Sequence, residues 1–456
     1  MAQRAYRFAL APTPAQERQL HSHAGAARVA FNWGLSRIAE ALAARRAEAA
    51  NGGTATTKRP GHFDLCRAWT AHKDRHQTVP DERDRTYAWV GENFVGTYQA
   101  ALRDADQAIR NFFDSRTNRR AGRAMGWPRF KSRRRTPPSF QMHGTSVRML
   151  DQSHLNLPKI GPVKVPGKVR LPGWTDRNGR QARALCRVMR RAAVQCPPCS
   201  GSGEMERPPK TKDGVVIEPA RMVPCATCKG HRSAPAGRII RASISRGASG
   251  IWWCSLTVEV ALEIRTAPSK RQRANGTVGL DLGTRYLAVD SEGTVYPNPQ
   301  HLEQALLELR EAQRAFARTQ RDSKRRDKAR RRVGAIHERV KLMRKDSTDK
   351  LTTALARTFA GVAVEGYDVA RLASTQSERV PARVRKRRNR QLADAAPGMV
   401  RWQLEYKTSW LGAAYLKAGA GMETGRTCSA CGAVRDKPIP LTTDMFDCDA
   451  CGASLD

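Results

Sequence analysis

The segment Gly279-Leu280-Asp281-Leu282-Gly283-Thr284-Arg285 places one carboxylate inside an apolar run that is typical of a β-strand. Aspartate is disfavoured in strands and is costly to bury without a partner, so another group must stabilise it there. The strand-like Tyr286-Leu287-Ala288-Val289 and the turn Asp290-Ser291-Glu292-Gly293 follow, which predicts a β-hairpin with Asp281 on its first strand. A divalent metal ion is the expected partner of this carboxylate. The alternative is a solvated aspartate on an edge strand.

A second apolar strand also ends in a carboxylate. Gly361-Val362-Ala363-Val364 leads directly into Glu365, 84 residues after Asp281. Phosphodiester cleavage by two metal ions needs several carboxylates around ions about 3.5–4 Å apart, and Mg²⁺ suits ligation by oxygen atoms. Asp281 and Glu365 are therefore candidate ligands of a catalytic Mg²⁺ site, which needs a third carboxylate.

The charge of the chain points to a polyanionic partner. Its 456 residues contain 81 Lys and Arg against 42 Asp and Glu, a formal net charge of +39. The excess is spread over most of the length, which favours a nucleic-acid cradle over a single basic tail. The 40% of hydrophobic residues allows a sizeable core, and the length suggests two to four domains. No run of 18 apolar residues and no signal-peptide stretch occurs, so we expect a cytosolic protein.

Three basic segments are candidate nucleic-acid contacts. Residues 116–135 contain nine Lys or Arg and no acidic residue, with two aromatic residues that favour stacking on bases or sugars. Residues 318–345 contain thirteen basic and three acidic residues, and residues 379–390 form a further basic loop. The predicted contacts are Trp127, Arg129, Phe130, Lys131, Arg133, Arg134, Arg325, Arg326, Arg330, Arg331, Arg387 and Arg388.

Eight of the eleven cysteines fall into four C-x-x-C pairs, which in a reducing cytosol indicate metal binding. Sixteen residues separate the last two pairs, and a glycine follows each of them, as in a four-cysteine zinc ribbon. The other two pairs resemble the cysteine-rich repeats of DnaJ-type chaperones over about 33 residues, but a second structural zinc site is the preferred interpretation. The predicted zinc ligands are Cys428, Cys431, Cys448 and Cys451 at one site and Cys196, Cys199, Cys225 and Cys228 at the other.

Hydrophobic periodicity predicts a mixed chain. A strand over 4–10 precedes a helix with Thr13 as its N-cap, and a second helix covers 86–114. Short strands within 139–265 predict a β-barrel-like module that an insertion at 196–228 interrupts. A long helical region is expected over 300–345 and a helix around 396–417. The aromatic stripe of the latter (Trp402, Tyr406 and Trp410) is interpreted as core.

Taken together, the motifs resemble the transposon-encoded TnpB family and the compact type V CRISPR effectors descended from it. The resemblance spans nearly the whole chain. It is carried by Tyr6-Arg7-Phe8 through Pro14, Ala30-Phe31-Asn32-Trp33, Gly126-Trp127-Pro128-Arg129-Phe130-Lys131-Ser132, Leu157-Pro158-Lys159-Ile160-Gly161, Gly279-Leu280-Asp281-Leu282-Gly283, Val364-Glu365, Leu404-Glu405-Tyr406-Lys407 and Cys428-Ser429-Ala430-Cys431-Gly432.

This resemblance implies an RNA-guided DNA endonuclease of the prokaryotic cytosol, with a guide RNA and target double-stranded DNA as partners. It would cut beside a short adjacent motif, as a monomer with one RNA. The implied fold is multidomain, α+β and α/β: a first wedge strand (1–12), a helical recognition domain (13–135), a wedge β-barrel (136–275), an RNase H-like RuvC nuclease domain (276–425) and a zinc-ribbon target-loading domain (426–456).

Two features depart from the family pattern. The cysteine insertion at 196–228 is not part of the minimal pattern. In the family, the last knuckle is followed by an Asp-Arg-Asp-x-Asn-Ala-Ala segment whose second Asp is the third catalytic carboxylate, whereas this sequence ends at Asp456. By resemblance Asp456 would be the first Asp of that segment, and the catalytic Asp would lie beyond the end. Either the sequence shown is truncated, or Asp456 substitutes as the third catalytic carboxylate, or the protein binds without cutting. Guided binding with weak or no cleavage stays open as an alternative, as does a generic zinc-ribbon RNA-binding protein.

Overall fold

The computed structural model describes residues 2–52, 56–120, 122, 124–151, 153–166, 204–207, 210–212, 215–218, 221–224, 237–260, 265–366, 381–419, 426–428, 430–435 and 446–455. Its contacts divide the chain into two compact units, Met1–Leu262 and Glu263–Asp456. Among these described residues, no helix is both long and apolar enough to cross a membrane.

The first unit contains two larger antiparallel sheets and two small hairpins. Its strands are β1 (Ala2–Leu10), β2 (Ser139–His143), β3 (Arg148–Met149), β4 (His154–Leu157), β5 (Gly161–Lys164), β6 (Glu204–Arg207), β7 (Lys210–Lys212), β8 (Val215–Glu218), β9 (Arg221–Pro224), β10 (Gly237–Arg246) and β11 (Trp252–Val260). One sheet has the order β1-β11-β10-β2 and another the order β3-β4-β5, while β6 pairs with β9 and β7 with β8. Short strands predicted within 139–265 are confirmed in the described parts of that range, and closure into a barrel stays a prediction.

Helices α1 (Pro14–Ala50), α2 (His62–Arg75) and α3 (Val95–Arg116) lie between β1 and β2 in the chain. The predicted N-cap is confirmed, because the Thr13 hydroxyl accepts the Gln16 N–H while the Gln16 side chain accepts the Thr13 N–H. The helical stretch predicted from about residue 86 is divided in two, because Ala88–Glu92 forms a 3₁₀ helix and α3 follows it. The Phe94 N–H donates to Nε2 of the buried His23, and Phe94 is extended, so α3 begins one residue later.

The second unit is built around one mixed sheet. Its strands are β12 (Thr277–Asp281), β13 (Tyr286–Asp290), β14 (Val295–Pro297), β15 (Gly361–Val364) and β16 (Ala414–Lys417), in the order β14-β13-β12-β15-β16. The predicted hairpin is confirmed, because β12 and β13 are antiparallel neighbours. β12, β15 and β16 run parallel, so their carboxyl ends meet at one edge. A short antiparallel pair, β17 (Phe446–Asp447) and β18 (Ser454–Leu455), lies near the end of the chain.

The helices of this unit are α4 (Lys270–Ala274), α5 (His301–Gln304), α6 (Leu306–Ala317), α7 (Lys324–Thr358), α8 (Ala382–Ala395) and α9 (Pro397–Leu411). The helical region predicted over 300–345 is confirmed, with a break at Asp322, whose φ of 60° is left-handed. Ser323 then caps the next helix. The basic segment predicted as a loop over 379–390 is largely helical. The predicted helix over 396–417 stops at Leu411, since Gly412 has a left-handed backbone. The Ala267 carbonyl lies so close to Gly412 that a Cβ would not fit there.

The interpretation of the aromatic stripe as core is wrong. Trp402 is 62% exposed, and Tyr406 and Trp410 are half-buried. The opposite face of α9 packs on α7, and Lys407 lies in it. The Lys407 ammonium donates to the Asp349 carbonyl oxygen at 2.9 Å and is further bonded by side-chain oxygens of Thr352, Thr353 and Gln403. A hydrogen-bonded polar face therefore takes the inward position, which leaves the aromatic rings on the outside.

Candidate metal and nucleic-acid sites

The two predicted carboxylates meet at the carboxyl edge of the sheet. The parallel register pairs Leu280 with Val364. Asp281 follows Leu280, and Glu365 follows Val364. Neighbouring residues on parallel strands point to the same face of a sheet. The fold therefore places the two carboxylates side by side, with Asp281 exposed and Glu365 half-buried.

The electrostatics of this pair favour a cation. Partial loss of hydration is the main cause that raises the pKa of Asp281, and the negative charge of Glu365 raises it further. A hydrogen bond from the Leu282 N–H lowers it in part. Two carboxylates that repel each other at the edge of a sheet bind a divalent cation well, because its charge removes the repulsion. Carboxylate oxygens are also the ligands that Mg²⁺ prefers.

Two neighbours fix the backbone at Glu365. The Arg401 guanidinium on α9 donates from Nη1 to the Glu365 carbonyl oxygen at 3.3 Å. The Ala418 N–H donates to the Val364 carbonyl at 2.9 Å, and a Cβ at Gly366 would lie 2.1 Å from the Ala418 carbonyl oxygen. Only glycine fits at position 366, so the chain that bears Glu365 is held against the end of β16.

The last four cysteines form a tetrahedral cluster. The Sγ atoms of Cys428, Cys431, Cys448 and Cys451 all lie within 4.8 Å of one another. The two C-x-x-C turns repeat the same backbone pattern. In each turn, the backbone N–H of the first cysteine donates to the carbonyl oxygen of the residue five positions later, Ala433 or Ala453, at 2.8 Å. The carbonyl oxygen of the same cysteine accepts the N–H of a glycine with a left-handed backbone at 2.9 Å.

The cluster has the dimensions of a zinc site. Sγ of Cys428 and Sγ of Cys451 are 3.7 Å apart, and Sγ of Cys431 and Sγ of Cys448 are 3.6 Å apart. A tetrahedral centre with Zn–S bonds of about 2.3 Å places its sulfurs about 3.8 Å apart. The N–H groups of Cys451 and Ala450 lower the pKa of Cys448, whereas neighbouring thiols raise the pKa of Cys451 and of Cys431, so a cation is needed to hold all four sulfurs as thiolates. Among the described residues, no other cluster of three or more His, Cys, Asp or Glu side chains converges in this way.

Several predicted site residues lie outside the described residues: Asp456, Cys196, Cys199, Cys225 and Cys228. The third carboxylate and the second zinc site therefore stay predictions.

Most of the predicted nucleic-acid contacts are exposed, and two are not. Lys131 lies with its ammonium 3.7 Å from the centroid of the Phe31 ring, and its backbone N–H and carbonyl both pair with the Asn32 amide at 2.8 Å. Arg326 packs 4.3 Å from the centroid of the Phe316 ring and donates to the Thr319 carbonyl at the end of α6. The remaining ten are exposed at their surfaces, and their role in binding stays a prediction: Trp127, Arg129, Phe130, Arg133, Arg134, Arg325, Arg330, Arg331, Arg387 and Arg388.

Sequence reasoning missed Arg401. The available signal was the position of Arg401 in the helix that leads into the Leu404-Glu405-Tyr406-Lys407 motif. Its approach to Glu365 depends on how α9 packs beside β15, which no local pattern encodes.

Three family models match separate parts of the chain. The model OrfB_IS605, described as "Probable transposase", matches residues 255–376, and a related model described as "Helix-turn-helix domain" matches residues 1–47. In this chain the latter range forms β1 and most of the single helix α1. A third model, described as "Cas12f1-like, TNB domain", matches residues 398–456, which include α9 and the four-cysteine cluster.

Curated relatives match over most of the chain. A protein of Mycobacterium tuberculosis, named as a candidate RNA-guided DNA endonuclease, is 29% identical over 98% of this chain and 82% of its own length. A protein of Streptomyces pristinaespiralis with the same description is 33% identical over 47% of this chain and 49% of its own length. Among solved structures, a chain of a Cas12f1–sgRNA–target DNA complex aligns with a TM-score of 0.39 at 11% identity and covers 95% of this chain and 92% of that one.

Proposed function

From the kinship of this chain with the TnpB and Cas12f1-like proteins, which the family models confirm, we propose that it is an RNA-guided DNA endonuclease. It binds a guide RNA and cleaves complementary double-stranded DNA beside a short adjacent motif. The proposal includes the RuvC assignment of the sheet β14-β13-β12-β15-β16, the wedge barrel, the helical recognition domain, a monomer with one RNA and a cytosolic location.

One observation carries the proposal. Asp281 and Glu365 lie side by side at the carboxyl ends of the parallel strands β12 and β15, and partial loss of hydration together with the charge of Glu365 raises the pKa of Asp281. A divalent cation between two such carboxylates would remove their mutual repulsion. Phosphodiester hydrolysis by metal ions uses carboxylate ligands in this kind of arrangement.

In this proposal Asp281 and Glu365 are the oxygen ligands of Mg²⁺, with Asp456 as the third carboxylate. When bound, Mg²⁺ supplies a positive charge that stabilises the negative charge developing on the phosphodiester. Arg401 and Gly366 hold the backbone of Glu365 in place. The four-cysteine cluster holds a structural zinc ion, and the exposed basic residues contact the phosphates of RNA and DNA.

The test is guided cleavage of a plasmid by the protein with its own RNA. Asp281→Ala and Glu365→Ala should each abolish Mg²⁺-dependent cleavage and leave guided binding intact, because base pairing and phosphate contacts supply the affinity. The exposed acid Glu311 on α6 offers a matched control, and Glu311→Gln should cleave at the parental rate. Cleavage that persists in Asp281→Ala would overturn the RuvC assignment.

The same experiment separates the second candidate function. A parental protein that binds guide-matched DNA with its RNA but leaves it uncut would be a guided DNA-binding protein. A protein that binds RNA but shows no guide-dependent binding of DNA would instead be a zinc-ribbon RNA-binding protein.

A further inference from the structure

We propose that the two exposed cysteines of the four-cysteine cluster, Cys431 and Cys451, are sites of oxidation by peroxides. Each then closes a disulfide with a buried cysteine of the other C-x-x-C turn, Cys448 or Cys428. The disulfides take sulfur ligands away from zinc, so the cluster acts as a reversible redox switch. The effect of this switch on cleavage rests on the proposed nuclease function, whereas its chemistry does not.

The four cysteines differ in their access to solvent. Cys428 and Cys448, the first cysteines of the two C-x-x-C turns, are 1% and 4% exposed. Cys431 and Cys451, the second cysteines, are both exposed. Zinc, when bound, holds all four sulfurs as thiolates, the reactive form of cysteine. Oxidation follows thiolate character and exposure, so a peroxide in solution should react first at one sulfur of each turn.

The geometry provides a buried partner for each exposed cysteine. Sγ of Cys431 lies 3.6 Å from Sγ of Cys448, and Sγ of Cys451 lies 3.7 Å from Sγ of Cys428. Each pair joins an exposed sulfur to a buried one, and each joins one C-x-x-C turn to the other. Sulfurs at this separation need to approach by less than about 2 Å to reach the S–S bond length of about 2.05 Å.

The proposed reaction has two steps. The Cys431 thiolate attacks one oxygen of hydrogen peroxide, the O–O bond breaks, and a sulfenic acid and a hydroxide ion form. The Cys448 thiolate then attacks the sulfenic sulfur, an S–S bond forms, and the S–O bond breaks to release a second hydroxide ion. The two sulfurs together lose two electrons, and the two peroxide oxygens gain them. The same steps apply to Cys451 and Cys428.

The fold of this segment depends on its cysteines. In its described part, the buried core consists of Cys428, Phe446 and Cys448, with Ala433 and Ala453 packed against it. Two of these three buried side chains are proposed zinc ligands, and β17 and β18 pair over two residues each. So small a core cannot offset the entropy of folding without a metal, so loss of zinc should unfold the segment.

The position of the cluster in the chain indicates what the switch controls. Strand β18 pairs with β17 and ends at Leu455, directly before Asp456, the candidate for the third carboxylate. If the nuclease proposal holds, unfolding of β18 removes the strand that leads into this residue. Oxidation should then suppress cleavage, and reduction in the presence of zinc should restore it.

The test treats the full, zinc-loaded chain with hydrogen peroxide at neutral pH. Dimedone, which traps sulfenic acids, should label Cys431 and Cys451 first and leave the two buried cysteines unlabelled. Peptide mapping by mass spectrometry without dimedone should find disulfides that join Cys431 to Cys448 and Cys428 to Cys451. Zinc release should exceed that of Cys448→Ser by one ion per chain, because this variant lacks the site and reports the zinc lost elsewhere.

Two further variants complete the design. The double variant Cys431→His with Cys451→His keeps four zinc ligands, because histidine also binds zinc, and removes both exposed thiolates. It should bind zinc and, in peroxide, release it at least about tenfold more slowly than the parental chain. Cys66→Ser removes a half-buried thiol outside the cluster and should release zinc as the parental chain does.

Several results would overturn the proposal. Earlier labelling of Cys428 or Cys448 would show that exposure does not select the reacting sulfur. Disulfides within one C-x-x-C turn, or zinc that stays bound in peroxide, would exclude the switch. If the double variant fails to bind zinc, labelling and mapping of the parental chain still decide. Because none of these measurements involves cleavage, their failure is distinct from failure of the nuclease, which appears as guided cleavage that does not depend on Asp281.

Discussion

Replacing Asp281 by asparagine should stabilise the metal-free protein, although it removes a proposed ligand. Neighbouring strands lie about 4.8 Å apart, and two carboxylates at about 5 Å in near-aqueous surroundings repel each other by about 1 kcal/mol. The pKa of Asp281 is raised in the folded chain, so its ionisation opposes folding as the pH rises above the range of an ordinary aspartate. Asp281→Asn should therefore raise the free energy of unfolding by about 1 kcal/mol at neutral pH, and Tm by about 2–4 °C.

With Mg²⁺ bound, the parental chain should be more stable than Asp281→Asn. At about 100 times its Kd, a cation that binds the folded state alone stabilises it by about 2.7 kcal/mol, and Asp281→Asn forfeits most of that gain. Thermal unfolding in Mg²⁺-free and Mg²⁺-saturated buffer measures both effects, with Glu311→Gln as the neutral control. At a pH below the ordinary pKa of aspartate the advantage of the variant should vanish, since Asp281 is then protonated in both states. A lower Tm for Asp281→Asn than for the parental chain without Mg²⁺ would contradict this prediction. It would show that the ionised Asp281 carboxylate stabilises the metal-free fold.

Three further predictions concern other parts of the chain. Lys407→Ala should lower the free energy of unfolding by about 2–4 kcal/mol in urea, because it leaves the buried side-chain oxygens of Thr352 and Gln403 without this donor. Lys350→Ala breaks an exposed ion pair and should change the free energy of unfolding by less than about 1 kcal/mol. Elemental analysis should find two zinc ions per chain, one zinc ion fewer in Cys448→Ser and an unchanged number in Cys66→Ser. One zinc ion or none in the parental chain would exclude at least one of the two predicted sites. The chain should copurify with a structured RNA and lose stability without it, because its charge is +39, and a folded, RNA-free preparation that stays monodisperse at low salt would contradict this.

The carboxylate site could be predicted because its signals are local. Asp281 and Glu365 each interrupt an apolar strand with a charge that a strand does not favour, and that anomaly is visible in a few residues. The sequence does not state that β12 and β15 are parallel neighbours. The pairing of β12 with β15 depends on how α7, which lies between them in the chain, packs on the sheet. That pairing brings the two carboxylates together.

The aromatic stripe shows where periodicity misleads. Trp402, Tyr406 and Trp410 recur at helical spacing, and hydrophobicity alone assigns such a face to the core. The inward face of α9 instead carries Lys407, whose charge is satisfied by Asp349 and by hydroxyl and amide oxygens on α7 and α9. A buried lysine is recognisable only once its partners from distant parts of the chain are known.

Element ends were mispredicted for a similar reason. The helix after residue 396 stops at Gly412, where the Ala267 carbonyl leaves no room for a Cβ, and Ala414 then pairs with β15. Likewise, His23 on α1 accepts the Phe94 N–H and displaces the start of α3. Both boundaries are set by contacts between residues far apart in sequence, which propensity does not contain.

The most direct test of the central claim is to measure Mn²⁺ binding by electron paramagnetic resonance, with the RNA-bound protein and Mn²⁺ in place of Mg²⁺. Tight Mn²⁺ binding is expected for the parental chain and for Glu311→Gln, and loss of that binding is expected for Asp281→Asn and Glu365→Gln, because both carboxylates would hold the same cation. Equal Mn²⁺ binding by the parental chain and the two carboxylate variants would contradict a metal centre at the ends of β12 and β15.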